Sequence, residues 1–358
     1  MNVPKRPVGT LTHDIDLTKK GKQTFKVSIN WSAASGEHGN FSLPVHYYNN
    51  GEGPTLLLSG GVHGDEFEGP ATLTELVHNG VLDSCDGKLI VIPVLNPPAL
   101  SAGQRRSPID GQDLNRSFPG ISGGSPTDCI AYLVSTEIIP HCDAVFDLHA
   151  GGEVEFIAPS IMTLFNDDTD TFEATLDALD ASGLPVVLVT EEFDDHGMLD
   201  AEAIRQGKIF GCAELGSAGT LTPSSCGWTR RAVFNILRHF EMLDTDFTPI
   251  SWKNKYDRTF ISLTEMEQTI ASPGNGIFRP KKIVGESVLS GEKIGTLLKL
   301  FDPEPSVEPI FSDRVGYIYT IASGRPVKPG DMLAVIAEEQ TGRILKSPKA
   351  NFVSEAGS

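Results

Sequence analysis

His63 and Glu66 stand three residues apart in Gly60-Gly61-Val62-His63-Gly64-Asp65-Glu66. An imidazole and a carboxylate at that spacing share one side of a helical turn. Together they supply two of the ligands a zinc ion takes. The glycine pair before them lets the backbone bend sharply next to an ion. Alone, the pattern is more often that of a solvated loop, so its weight depends on the rest of the chain. His149, in Asp147-Leu148-His149-Ala150-Gly151-Gly152, lies 83 positions after Glu66. Two imidazoles and one carboxylate leave a fourth position open for water, the mark of a catalytic rather than a structural zinc. Such an ion brings the pKa of its water to about 7 and polarises a carbonyl. Asp147 is either a carboxylate that supports the imidazole from behind or a strand residue with another partner.

Two more stretches extend the chemistry. Glu214, in Ala213-Glu214-Leu215-Gly216-Ser217, ends an apolar run. A zinc hydrolase needs a carboxylate that takes the proton of the attacking water and passes it to the leaving nitrogen. Glu214 is the candidate, and a strand-end glutamate facing solvent is the plainer alternative. The loop from Arg105 to Gly120 places Arg105, Arg106, Asn115 and Arg116 within twelve residues of an acidic protein. Guanidinium forks bind carboxylates bidentately. One arginine there can hold a substrate carboxylate and another can stabilise an oxyanion, unless the loop is only a charged surface.

The elements that must position these groups show in the hydrophobic pattern. Residues 1–50 alternate polar and apolar positions and read as antiparallel edge strands. Nearly continuous apolar runs follow at 55–59, 88–95, 144–148, 184–190 and 208–214, as suits strands buried on both faces. Helices are expected between them at about 66–79, 127–140, 168–182, 198–206 and 225–242. Alternating strands and helices imply an α/β fold with a mostly parallel or mixed sheet, whose ligand sites gather at the carboxyl ends of the strands. His63, His149 and Glu214 all fall at such ends. Residues 273–340 carry regularly spaced glycine and proline around short strands, which marks 251–345 as a smaller all-β unit, and 346–358 read as a polar tail. That unit resembles a biotinyl/lipoyl-type barrel, but its tip, Ala322-Ser323-Gly324-Arg325, has no lysine to modify. A structural or lid role is expected instead.

Composition narrows the function classes. A formal net charge of -18 argues against a nucleic-acid groove. No run approaches the roughly 20 apolar residues of a membrane span. The start of the sequence lacks the apolar stretch of a signal peptide, so a cytoplasmic location is the expectation. The five cysteines, with no Cys-x-x-Cys, suggest neither a disulfide framework nor a thiolate metal site.

His63-x-x-Glu66, Asp113-Leu114-Asn115-Arg116, Asp147-Leu148-His149 and Glu214-x-Gly216 occur in the order seen in the succinylglutamate desuccinylase/aspartoacylase family, a branch of the zinc carboxypeptidase fold. The resemblance covers roughly 50–245, and the β-rich accessory unit after it is also similar. It implies a zinc carboxypeptidase-like mixed sheet flanked by helices, and one Zn2+ per chain held by His63, Glu66 and His149. It further implies Glu214 as general base and Asn115 and Arg116 on the substrate carboxylate. The Arg-x-Ser-Pro spacing favours Arg105 over Arg106 for the oxyanion, leaving Arg106 as a further substrate-binding candidate. The Ser107–Gly111 and Asn115–Gly120 segments look most like the bacterial subgroup that includes an N-acetyl-diaminobutyrate deacetylase of ectoine breakdown. The expected function is removal of an acetyl or succinyl group from a small N-acyl amino acid. A metallocarboxypeptidase and a non-catalytic metal or carboxylate binder are the alternatives, and a homo-oligomer stays open.

Overall fold

The computed structural model describes residues 6–190, 197–243, 259–263, 268–300, 304 and 306–342. The chain opens with an antiparallel meander, β1 (Val8–His13), β2 (Gly21–Ser32) and β3 (His38–Asn49). Phe25, Val27 and Ile29 of β2 and Leu43, Val45 and Tyr47 of β3 are buried at every second position, the pleat made visible in sequence. Then come β4 (Thr55–Gly60), α1 (Glu68–His78), β5 (Lys88–Ile92), α2 (Pro97–Ala102), α3 (Pro126–Leu133) and β6 (Ala144–His149). The strands β7 (Glu155–Ile157), β8 (Ser160–Leu164), β9 (Val186–Thr190) and β10 (Ile209–Glu214) alternate with α4 (Thr169–Ala181) and α5 (Leu199–Arg205), and α6 (Pro223–His239) closes the series.

The strands of this part lie in the order β1-β2-β3-β5-β4-β6-β10-β8-β9. β5, β4, β6 and β10 are mutually parallel, whereas β8 runs antiparallel to β10. The sheet is therefore mixed, as expected. Its central strands are buried on both faces because successive side chains enter different cores. Leu56, Leu58, Phe146 and Leu148 pack with α1, α4 and α6. Leu57, Ile90, Val145 and Phe210 pack with α3 and α5. This is the reason β4, β6 and β10 read as unbroken apolar runs.

Some expectations shift. α1 begins at Glu68, so Glu66 sits on the turn before the helix and not on it. The helix expected over 127–140 ends as α-helix at Leu133 and continues as a π turn (Val134–Ile138) and a 3-10 turn (Ile139–His141). β7 and β8 had no counterpart in the sequence reading. Among the described residues no helix is long and apolar enough to cross a membrane. The tail expected over 346–358 lies outside the described residues.

The remaining strands are all antiparallel to their neighbours within the C-terminal unit: β11 (Thr259–Leu263), β12 (Thr269–Ala271), β13 (Gly276–Pro280), β14 (Ser287–Val288), β15 (Lys293–Lys299), β16 (Ser306–Phe311), β17 (Gly316–Ala322), β18 (Pro326–Val327) and β19 (Met332–Gln340). One sheet runs β16-β15-β13-β18, and the other contains β12, β19, β17 and β14. Both sheets line one core with Phe278, Ile294, Leu297, Ile318, Leu333 and Ile336. The expected all-β unit is present. Among the described residues its ladders do not close a barrel: β19 extends onto β11, which pairs in parallel with β9, and β17 pairs with β7.

Candidate active site

The carboxyl ends of β4, β6 and β10 converge on one point. In the ladders Ser59 of β4 lies opposite Asp147 of β6, and His149 lies opposite Glu214 of β10. His63 follows β4 through a turn in which Gly61 has φ 65°, a conformation that favours glycine. Gly64 then passes so close to α2 that a Cβ would sit 2.0 Å from the carbonyl carbon of Ala99. Only a residue without a side chain lets His63 and Glu66 turn inward there.

Glu66 is the hinge of the arrangement. One carboxylate oxygen is 2.7 Å from His63 Nδ1 and the other 2.9 Å from His149 Nδ1. The backbone N–H of Ala150 donates to the same carboxylate at 3.2 Å. All three side chains are buried. Their ligand atoms lie within 4.8 Å of one another, which suits a single divalent ion. Burial opposes ionisation of Glu66, yet the charge and hydrogen bonds of His63 and His149 outweigh it and hold the carboxyl well below its usual range.

Each imidazole is gripped from behind by another carboxylate. His149 Nε2 lies 2.7 Å from Asp147, whose other oxygen accepts from the Ser59 hydroxyl at 2.7 Å. Asp147 is thus the supporting carboxylate of the two alternatives that its sequence left open. His63 Nε2 lies 3.2 Å from Asp113, and Arg105 Nε donates to the second oxygen of Asp113 at 2.9 Å. A histidine whose far nitrogen is fixed on a carboxylate presents the near nitrogen to a metal in one tautomer and one orientation. Burial works against charge on His149, but Cys212, Asp147 and Glu66 outweigh it and raise its pKa well above the ordinary value. Asp113 is lowered, because His63 and Arg105 overcome its burial.

Glu214 stands beside these donors with Oε2 buried and without a hydrogen-bond partner among the described residues. Burial, reinforced by Glu66 and Glu155, pushes its carboxyl up to about 8 against the pull of His149 and Arg105. A carboxyl so poised can exchange a proton near neutral pH. Together with His63, Glu66 and His149 it lines a cavity of about 290 Å³, whose wall also includes Arg105, Asn115 and Arg116. Asn115 Oδ1 accepts from the N–H of Leu199 at 2.9 Å, which fixes the amide and leaves its NH2 as donor. The Arg116 guanidinium donates to the Asn115 carbonyl at 2.7 Å. Arg106 is exposed and is not part of the cavity wall. Of the adjacent pair, only Arg105 reaches the site.

Sequence reasoning gave no part to Asp113 or to Glu155. Asp113 was visible in the arginine loop, but its partner His63 lies 50 positions away. Glu155 lines the same cavity, and burial brings its carboxyl to about 7 despite a hydrogen bond from Thr320. No local pattern announces a contact of that range.

A family model, the succinylglutamate desuccinylase/aspartoacylase catalytic domain, matches residues 52–240. The chain belongs to the succinylglutamate desuccinylase/aspartoacylase family. The matched span contains every residue of the site described above. Among members of the family, the N-alpha-acetyl-L-2,4-diaminobutyric acid deacetylase of Halomonas elongata is 32% identical over 324 residues, covering 90% of this chain and 94% of that protein. The product-bound ectoine utilization protein EutE from Ruegeria pomeroyi superposes with a TM-score of 0.83 at 28% identity, covering 92% of this chain and 98% of that one. A succinylglutamate desuccinylase from Silicibacter sp. gives 0.84 at 27% identity, covering 92% and 98%.

Proposed function

We propose that this family member is a zinc-dependent amidohydrolase that removes the acyl group from a small N-acyl amino acid, most closely of the N-acetyl-diaminobutyrate type. The observation that carries the reading is Glu214: a buried carboxyl with an unpartnered oxygen, beside two imidazoles and a carboxylate spaced for one ion. The donor set fits zinc, being two supported imidazole nitrogens and one carboxylate. When bound, zinc supplies polarisation of the acyl carbonyl and acidification of water.

The chain's own groups do the rest. Asn115 and Arg116 grip the free carboxylate of the substrate, a charge-assisted contact that fixes the scissile amide. Glu214 takes the proton of the attacking water and returns it to the amide nitrogen as the C–N bond breaks. Arg105, held in place by Asp113, faces the oxygen on which charge develops. The same reading makes 51–250 the hydrolase domain, with an N-terminal β segment packed on it and 251–345 a β-rich accessory domain. It also makes the protein a cytoplasmic enzyme of amino-acid metabolism, on a route such as ectoine degradation.

Glu214→Gln is the test. The variant should keep one zinc per chain by metal analysis and lose about 100- to 10,000-fold in acetate release from N-acetyl-diaminobutyrate. Retained turnover would remove Glu214 as the base. Release of a C-terminal residue from dipeptides in place of acetate would turn the reading toward a carboxypeptidase.

A further inference from the structure

The cavity wall contains more acid than the reaction consumes. Beyond Glu66 and Glu214 it includes Asp65, Glu155 and Asp200. Asp65 accepts from the N–H of Glu153 and lies against Gly152, so it ties the loop after β6. Asp200 accepts from the N–H of Ala201 at the start of α5. Glu155 has no such structural duty. Its backbone is committed, with the carbonyl accepting from Ala218 and the strand paired to β17 at Ala322, but its side chain lines the cavity with only the hydroxyl of Thr320 beside it, and that hydroxyl also lies 3.2 Å from Met332 Sδ. The cation near it, Arg105, is bonded to Asp113, and its pull on Glu155 does not overcome burial.

The C-terminal unit fixes this wall. Ser323 donates its N–H to the Val154 carbonyl and its hydroxyl to the Glu153 carbonyl, and Arg325 pairs with Glu153 at 2.6 Å. The tip where a lysine is missing is therefore docked on the segment that presents Glu155. Gly151 makes room, since a Cβ there would lie 3.1 Å from Glu155 Cγ and 2.9 Å from its carbonyl oxygen.

The geometry points to Glu155 as the residue that selects substrates carrying a second, cationic nitrogen: it receives a side-chain ammonium, while Asn115 and Arg116 hold the carboxylate at the other charge of the same molecule. A partly buried carboxylate in a cavity wall binds an ammonium by a charge-assisted hydrogen bond and disfavours the analogue that leaves it unpaired. The inference rests on the deacylase reading and adds the residue that would enforce the choice of a diamino substrate.

The test compares the zinc-loaded full-length chain with its Glu155→Gln variant on N-acetyl-2,4-diaminobutyrate and on N-acetyl-2-aminobutyrate, which lacks the ammonium. The wild type should favour the diamino substrate, and Glu155→Gln should raise its KM by about 10- to 100-fold. Loss of the Glu155 charge also relaxes the upward push on Glu214, so kcat should change by the same factor for both substrates, while the KM of the neutral substrate stays within about threefold. Glu155→Asp should recover part of the lost affinity. Equal rises of KM on both substrates would mean that Glu155 only holds the wall, and an unchanged KM ratio would mean that it does not meet the ammonium; either overturns the inference. Calorimetric titration of free 2,4-diaminobutyrate and 2-aminobutyrate runs alongside. If the wild type turns over neither substrate, the deacylase reading fails, and the titration still decides whether Glu155 selects the second amine.

Discussion

The two imidazoles face the same carboxylate from opposite kinds of scaffold. His149 rides on a central strand. Its supporting Asp147 is two residues earlier on the same face, and Asp147 is tied in turn to Ser59 of the neighbouring strand. His63 rides on a turn, and its support comes from Asp113 in a distant loop, steadied by an arginine whose side chain is half exposed. The first arrangement is built into the sheet, where pleat and ladder fix the spacing. The second depends on a loop keeping its shape. One half of the centre is therefore rigid by topology, and the other is adjustable from the solvent side.

That contrast can be broken in graded steps. Removing an imidazole has the largest effect: His149→Ala and His63→Ala should each leave protein without stoichiometric zinc by metal analysis, and full loading of either would take that residue out of the centre. Next come the supporting carboxylates. Asp147→Asn and Asp113→Asn should weaken zinc, by chelator competition, by about 10- to 100-fold, with Asp147 the more damaging because it is more deeply buried and closer to its histidine. Equal effects would erase the distinction between strand and loop. The smallest change is Arg105→Gln, which should weaken zinc only a few-fold, through Asp113. Combined with Asp113→Asn it should add nothing to zinc affinity, and combined with Asp147→Asn it should add in full.

Acidity sharpens the same comparison. The pKa of His149 is raised above its ordinary value, and Glu214 titrates at about 8. A metal must displace the proton that His149 holds at neutral pH, whereas Glu214 is not a ligand, so zinc affinity should fall as pH falls from 8 to 6, by about tenfold per pH unit for each proton displaced. In Asp147→Asn one source of the upward push on His149 is gone, and the pH slope should flatten. An unchanged slope would show that Asp147 does not set the protonation of His149.

How much of this was legible in the sequence follows the same division. β4, β6 and β10 announced themselves because both their faces are buried, and the residues at their ends could be read as a set. Glu66 could be grouped with His63 and His149 from the sequence, although the helix starts two residues after it. Asp113 and Glu155 were not legible as participants. Their partners are His63, 50 positions away, and Thr320 on β17, and no periodicity carries information over such separations. β7 and β8 escaped for a related reason. β7 is three residues long, and its pairing strand comes late in the chain, while β8 carries Ser160 and Thr163 inside a buried run.

The short ladder between β7 and β17 has a consequence for how such a chain can change over evolutionary time. Three residues do not make a stable strand without a partner, so the wall that carries Glu155 exists only as long as the C-terminal unit offers it an edge. An insertion that slipped β17 by one position would turn alternate side chains to the other face, and the site would then be remodelled by a segment absent from the hydrolytic centre. Recombination that exchanged one region without the other would leave β7 without the edge it pairs with, so the two regions should be inherited as a pair.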